Sequence, residues 1–129
     1  MPTAAQGEPL TTQRLAECCQ ALREKKAYDV AVLHVAALTP VADHYVVASG
    51  FSRRQVQTLA DAVRERMGRC GYREVHCEGY TEARWVCIDY GDVVVHIFQD
   101  EVRRYFDLEG LWADAPQERL EAEPPALQA

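Results

Sequence analysis

The sequence predicts an α/β sandwich of the two-layer type: a mixed sheet of about five strands with helices packed on it. Three observations lead there. A run of clear helical period lies near the middle of the chain, β-branched apolar runs stand on both sides of it, and the segments follow one another as α-β-β-α-β-β-β-α. At 129 residues the chain fits one domain. With 48% hydrophobic residues it has enough apolar side chain to fill a core without disulfide or metal staples.

The elements can be justified in order. Residues 1–11, with Gly7 and Pro9, read as a flexible N-terminal arm, and Thr11 or Thr12 can cap a first helix. Leu15, Cys18, Cys19 and Leu22 recur at helical spacing, and Lys25 and Lys26 place cations at the helix end, where the macrodipole favours them. Tyr28 to Ala36 is apolar and β-branched and reads as a buried strand. Leu38-Thr39-Pro40 breaks it, and His44 to Ala48 reads as a second strand ended by Ser49-Gly50. Ser52 with Gln55 forms a capping box, and Val56, Leu59, Ala60, Val63 and Met67 then share one helix face. Gly68 or Gly71 stops this helix. Strands follow at Glu74 to Cys77, Trp85 to Asp89 and Val93 to Phe98, and a short helix carries Val102, Tyr105, Phe106 and Leu108. These last aromatics, with Leu111 and Trp112, read as packing residues over the sheet edge. The domain spans residues 12–113, and residues 114–129 read as a flexible acidic, Pro-rich tail.

The last two strands flank Tyr90-Gly91, read as a two-residue hairpin loop with Gly where φ must be positive. That loop sets Asp89 opposite Asp92, Ile88 opposite Val93, and Trp85 opposite His96. Side chains alternate across a sheet. One face of the hairpin is therefore Val86, Ile88, Val93, Val95 and Ile97, wholly apolar and suited to the core. The other is Trp85, Cys87, Asp89, Asp92, Val94 and His96. Two carboxylates facing each other would be unfavourable in a buried face, so this side is expected to be at least partly wet. An exposed Trp beside acids is the make-up of an interface anchor. The plainer reading is that Trp85 packs under a loop and the acids shape the turn.

Charge narrows the function classes. Residues 1–84 hold 11 basic and 10 acidic side chains, whereas residues 85–129 hold 3 basic and 10 acidic, a balance of −7. Such a chain is a poor counterion for bare nucleic acid and suits a basic protein partner. The five cysteines, Cys18, Cys19, Cys70, Cys77 and Cys87, are odd in number and lack a Cys-x-x-Cys pair. They are expected to be reduced and mostly buried in a cytoplasmic protein. No apolar stretch approaches the ~20 residues needed to span a bilayer, so no membrane partner is expected.

Catalysis and metal binding find little support. Ser49-Gly50-Phe51-Ser52 before a helix could bind phosphate, but Ser52 is better explained as the cap, and no Asp-x-Asp occurs to hold magnesium. His34, His44, His76 and His96 share no ligand spacing. No catalytic residue, metal ligand or cofactor is therefore expected. Arg53-Arg54 reads as a solvated helix start, with contact to RNA phosphate as the minor alternative.

Four segments in order carry a resemblance: Asp43 with the run from His44 to Val56, Glu78-Gly79, the run from Trp85 to Phe98, and the run from Arg103 to Trp112. Together they resemble the ribosomal silencing factor (Iojap-like) family over about residues 12–113. The resemblance implies a nucleotidyltransferase-like fold without known catalysis. It implies binding to the large ribosomal subunit through its basic protein fourteen, which blocks joining of the small subunit and represses translation when nutrients are scarce. Mitochondrial relatives act in large-subunit assembly, so an assembly factor is one alternative. A degenerate nucleotidyltransferase-like enzyme is another, and a homodimer of the free protein stays open. The family interface uses the hairpin Trp and nearby acids, a role that falls here on Trp85, Asp89 and Asp92. Tyr90 and His96 join them on the hairpin, Glu109 is an acidic rim candidate, and the RNA within reach of Arg53-Arg54 would be ribosomal RNA. The chain departs from the family pattern at Tyr105-Phe106-Asp107, where members place Tyr one step later.

Overall fold

The computed structural model of the chain describes residues 3–120, with side chains from Thr11 onward. The first helix, α1 (Thr3–Glu24), begins well before the expected cap at Thr11 or Thr12. The Thr11 backbone continues the helix ladder, and its hydroxyl donates instead to the Asp92 carboxylate at 2.7 Å. Strands β1 (Tyr28–His34) and β2 (His44–Gly50) follow, then α2 (Arg53–Arg69). Ser52 caps α2 by accepting the Gln55 N–H at 3.0 Å, while the Gln55 side chain reaches back to the Phe51 N–H at 2.7 Å. This reciprocal pairing satisfies two donors that a bare helix start would leave orphaned. Val56, Leu59, Ala60, Val63 and Met67 are the buried face of α2, as their spacing requires. Next come β3 (His76–Glu78), β4 (Trp85–Asp89), β5 (Val93–Gln99), α3 (Asp100–Phe106), α4 (Leu108–Leu111) and β6 (Gln117–Arg119).

The expected mixed sheet forms, with six strands in the order β3-β4-β5-β2-β1-β6. Only β2 and β5 pair in parallel; the other neighbours are antiparallel. The added strand is β6, which lies where the chain was expected to have become a loose tail. It pairs with β1 through Ala31↔Arg119, Val32↔Glu118 and Leu33↔Gln117. Without it, β1 would present a row of unpaired backbone groups at the sheet edge. Side chains hold it too: His34 meets Glu118 at 2.9 Å and Arg119 meets Asp29 at 3.2 Å. The rest of the expected tail, 121–129, lies outside the described residues, as do residues 1–2 of the expected arm.

The sheet has a core on each side. Under α1 and α2 lie Val30, Val32, Val46, Ala48, Val86, Ile88, Val93, Val95 and Ile97. The hairpin's apolar face is thus the core face. On the other side Ala31, Leu33, Val47, Val94 and Phe98 pack with Val102 of α3, Leu108 of α4 and Ala115. Because α3 and α4 are short, they cover only part of this side, and the sheet surface around β4 is left half-open.

The hairpin register differs from expectation by two. Trp85 faces Phe98, Cys87 faces His96, and Asp89 faces Val94. Tyr90 donates its N–H to the Val93 carbonyl at 2.8 Å, so the loop is Gly91-Asp92, with Gly91 at φ 94°. What draws Asp92 into the loop is the start of β2: its carbonyl accepts the N–H groups of Asp43 and His44 at 2.8 and 3.0 Å. A shift of two leaves every side chain that remains in the two strands on its original face, which is why the face assignment survives for all but Asp92, now a loop residue. Ile88 is fully buried. Ile88→Ala is expected to lower stability by about 2–5 kcal/mol in urea unfolding. A shift near zero would contradict its place in the core.

Candidate docking face

Trp85 opens β4 on the half-covered side of the sheet. Its indole stacks on Phe98 across the ladder, with ring centroids 4.8 Å apart and planes at 28°. Phe106, the last residue of α3, leans on the same indole at 5.2 Å, and Tyr105 meets Phe106 edge-on at 5.1 Å. Phe106 is 51% exposed and Tyr105 82% exposed. The three rings therefore run from the sheet to the surface as one apolar strip. Behind them His96 meets Tyr45 edge-on at 5.1 Å, and Tyr45 meets Trp112 at 5.4 Å. Beside Trp85 lies a groove of about 550 Å³ lined by Glu78, Gly79 and Cys87. Gly79 is the residue that lets the loop before β4 pass so close: its φ is +84°, and a Cβ there would stand 2.1 Å from the Trp85 carbonyl oxygen.

Tyr105 and Phe106 are where sequence reasoning fell short, since it took them for packing residues. Leu111, read in the same way, is also exposed. The available signal was the shortness of α3. Asp107 adopts a left-handed conformation, φ 50° and ψ 56°, and ends the helix one residue after Phe106. The chain turns away there, and among the described residues the two rings stay largely open.

The expected site residues separate. Asp89 is half-exposed on the face of Trp85, and one oxygen accepts the Gly91 N–H at 2.7 Å, so it shapes the loop while standing at the rim. Asp92 leaves this face. Its carboxylate is held by Thr11 and by Arg14 at 3.0 Å, on the α1 side. Tyr90 is 5% exposed and belongs to the core under α1 and α2, and burial pushes its phenol pKa up. The loop's one-residue displacement turned it inward. His96 is 8% exposed, and burial pushes its pKa down to about 4, so it offers a partner no charge.

Glu109 is turned inward, its side chain 13% exposed. It grips the buried Arg103 guanidinium through two oxygens, at 3.2 and 2.7 Å, and Arg119 at 2.8 Å. Burial alone would raise its pKa, but the hydrogen bonds and charges of Arg103 and Arg119 hold it below the ordinary value of 4.5. Arg103 also donates to the Ser49 hydroxyl at 2.9 Å, and Ser52 caps α2, so both serines of the Ser49-Gly50-Phe51-Ser52 turn have structural partners.

The Asp92 assignment is testable. Asp92→Ala is expected to lower unfolding free energy by about 1 kcal/mol, through loss of the Thr11 and Arg14 contacts. The association rate with its partner, and the salt dependence of that rate, should stay unchanged. Slower association at an unaltered melting temperature would return Asp92 to the docking face.

Elsewhere, Cys18 and Cys19 are buried, Cys77 and Cys87 half-buried, and Cys70 exposed, so burial of the thiols is less complete than expected. Among the described residues no group of three or more His, Cys, Asp or Glu could hold a metal ion, and no helix is long and apolar enough to cross a membrane.

Comparison with known proteins agrees with this architecture. Residues 9–129 match the family model described as ribosomal silencing factor during starvation. A protein of Halalkalibacterium halodurans called ribosomal silencing factor RsfS is 42% identical over 101 residues, which cover 78% of this chain and 86% of that one. A mouse protein called mitochondrial assembly of ribosomal large subunit protein 1 is 30% identical over 94 residues, 70% of this chain and 41% of its own length. A crystal structure of a Chromobacterium violaceum protein superposes with a TM-score of 0.78 at 34% identity, covering 90% of this chain and 95% of that one. The chain belongs to the ribosomal silencing factor family.

Proposed function

We propose that this chain represses translation in the cytoplasm by docking the Trp85 face on the large ribosomal subunit, on its protein fourteen, and so blocking the small subunit from joining. The observation that carries the reading is the exposed strip of Tyr105 and Phe106 leading onto Trp85. Aromatic side chains of this kind, half-supported from below and open above, are the usual anchors of a protein interface. The charge agrees, since Asp89 stands at the rim and residues 85–129 carry a balance of −7, which favours approach to a basic protein. Family membership supports a ribosomal partner, and the chemistry of the face supports a contact anchored by aromatic rings.

The reading is tested by mixing separated large and small subunits with and without the protein and sedimenting the mixture. Joined ribosomes should fall as protein is added, and the protein should travel with the large subunit. Undiminished joining with the protein left at the top of the gradient would refute it. The name of the mouse relative favours a second use of the same contact, in assembly of the large subunit. In that case the protein would accompany immature large particles in preference to finished ones.

A further inference from the structure

If the Trp85 face is the docking surface, the question becomes what the indole offers a partner. We infer that His96 is a positioning residue for that face: its Nδ1 accepts the single N–H of Trp85, holding the indole flat on Phe98 and leaving the partner an indole with no free donor to satisfy. The bond is 3.1 Å long. His96 and Trp85 are diagonal neighbours across β4 and β5, since Trp85 faces Phe98 and His96 faces Cys87. Diagonal residues on one face are within reach of long side chains. The His96 ring is itself fixed, edge-on against Tyr45 at 5.1 Å and stacked with Phe98 at 6.5 Å.

The chemistry admits one arrangement. An indole N–H can only donate, so Nδ1 must be bare and the imidazole proton must sit on Nε2. Nε2 is buried without a hydrogen-bond partner, so the histidine bears the cost of an unpaired polar atom while serving Trp85. A packing residue alone would not require that, because a phenyl ring would fill the same space without the unpaired nitrogen. Burial also disfavours the imidazolium, which keeps the acceptor available. The consequence for recognition is specific. A half-exposed Trp usually demands an acceptor from its partner. Here the partner can be apolar where it meets Trp85, and its polar contacts fall at the Asp89 and Glu78 rim.

Two variants separate the acceptor from the ring. His96→Phe keeps an aromatic ring and removes Nδ1, whereas His96→Asn places an amide oxygen close to where Nδ1 stands. With purified large subunits, His96→Phe should bind roughly tenfold more weakly or worse, the scale of one unsatisfied donor. His96→Asn should recover most of the loss. In the free protein the indole N–H resonance of Trp85, assigned by its loss in Trp85→Phe, should exchange slowly with water in the wild type and in His96→Asn, and fast in His96→Phe. The inference is overturned if His96→Phe binds like the wild type, if His96→Asn binds no better than His96→Phe, or if the wild-type indole proton exchanges freely. Should His96→Phe not fold, the exchange rates of the wild type and His96→Asn decide. Should Trp85→Ala itself leave subunit binding intact, the docking reading fails, and the indole resonance still reports whether His96 holds the ring.

Discussion

Glu109→Ala should destabilise the fold by about 3 kcal/mol, the scale expected when one partner of a buried ion pair is removed. Arg103 is 4% exposed, and Glu109 supplies its two-oxygen grip. Without that carboxylate the guanidinium keeps the Ser49 hydroxyl, a long bond of 3.5 Å to the Tyr28 carbonyl, and Asp29 at 3.7 Å. The loss spreads to the sheet edge, because Arg119 of β6 shares the same carboxylate. Glu109→Gln keeps the shape and removes the charge, and should fall between the two. Its pH dependence follows from the lowered pKa. A carboxylate whose folded value lies below its unfolded value contributes stability that is fully present above the unfolded value, near 4.5, and is lost as pH falls through the folded value. Urea midpoints of the wild type should therefore drop more steeply below about pH 4.5 than those of Glu109→Gln. A Glu109→Gln protein of normal stability that binds the large subunit poorly would contradict this and make Glu109 a contact residue.

Trp85→Ala should act on two quantities at once. Binding to the large subunit should weaken by roughly 2 kcal/mol or more, the scale of an interface hot spot. Stability should fall too, by about 1–3 kcal/mol, because the indole covers Phe98 and leans on Phe106. Trp85 is thus both the lid of the second core and the base of the exposed strip. Folding and binding are separated by measuring affinity well below the melting temperature of the variant. Lost stability with wild-type affinity would assign Trp85 to packing alone, the plainer reading of the sequence.

Much of the fold was legible because period and burial agree. The α2 face from Val56 to Met67, and the alternation of Val86, Ile88, Val93, Val95 and Ile97, each follow from one spacing rule, and a two-residue register error could not disturb the second. β6 was not legible. Gln117, Glu118 and Arg119 are polar and exposed, and they form a strand only because β1 has an edge to complete. The local pattern placed Trp85 and Asp89 on the half-covered side of the sheet, where they lie, but not the inward or α1-side positions of Asp92, Tyr90 and Glu109 or the burial of His96. Each is engaged by a contact that spacing alone does not show: Asp92 by α1, Tyr90 by the first core, and Glu109 by Arg103 and Arg119, whereas His96 lies beside Trp85 on the hairpin face where the alternation put it and is covered by Tyr45. Local pattern carries no information about the partners of Asp92, Tyr90 and Glu109. Tyr105 and Phe106 were read as covered because aromatic residues near a helix end are normally buried, and here they are 82% and 51% exposed.

Hydroxyl-radical footprinting of the protein, free and bound to the large subunit, tests the docking face most directly, because it reads side-chain exposure ring by ring. Tyr72, half-exposed on the α1 side of the sheet, where Arg14 lies over its ring and its hydroxyl meets Gln13, serves as the internal reference. Binding should suppress oxidation of Tyr105, Phe106 and Trp85 and leave Tyr72 as reactive as before. Protection of Tyr72 with Tyr105 and Phe106 still open would place the ribosome on another surface and contradict the account.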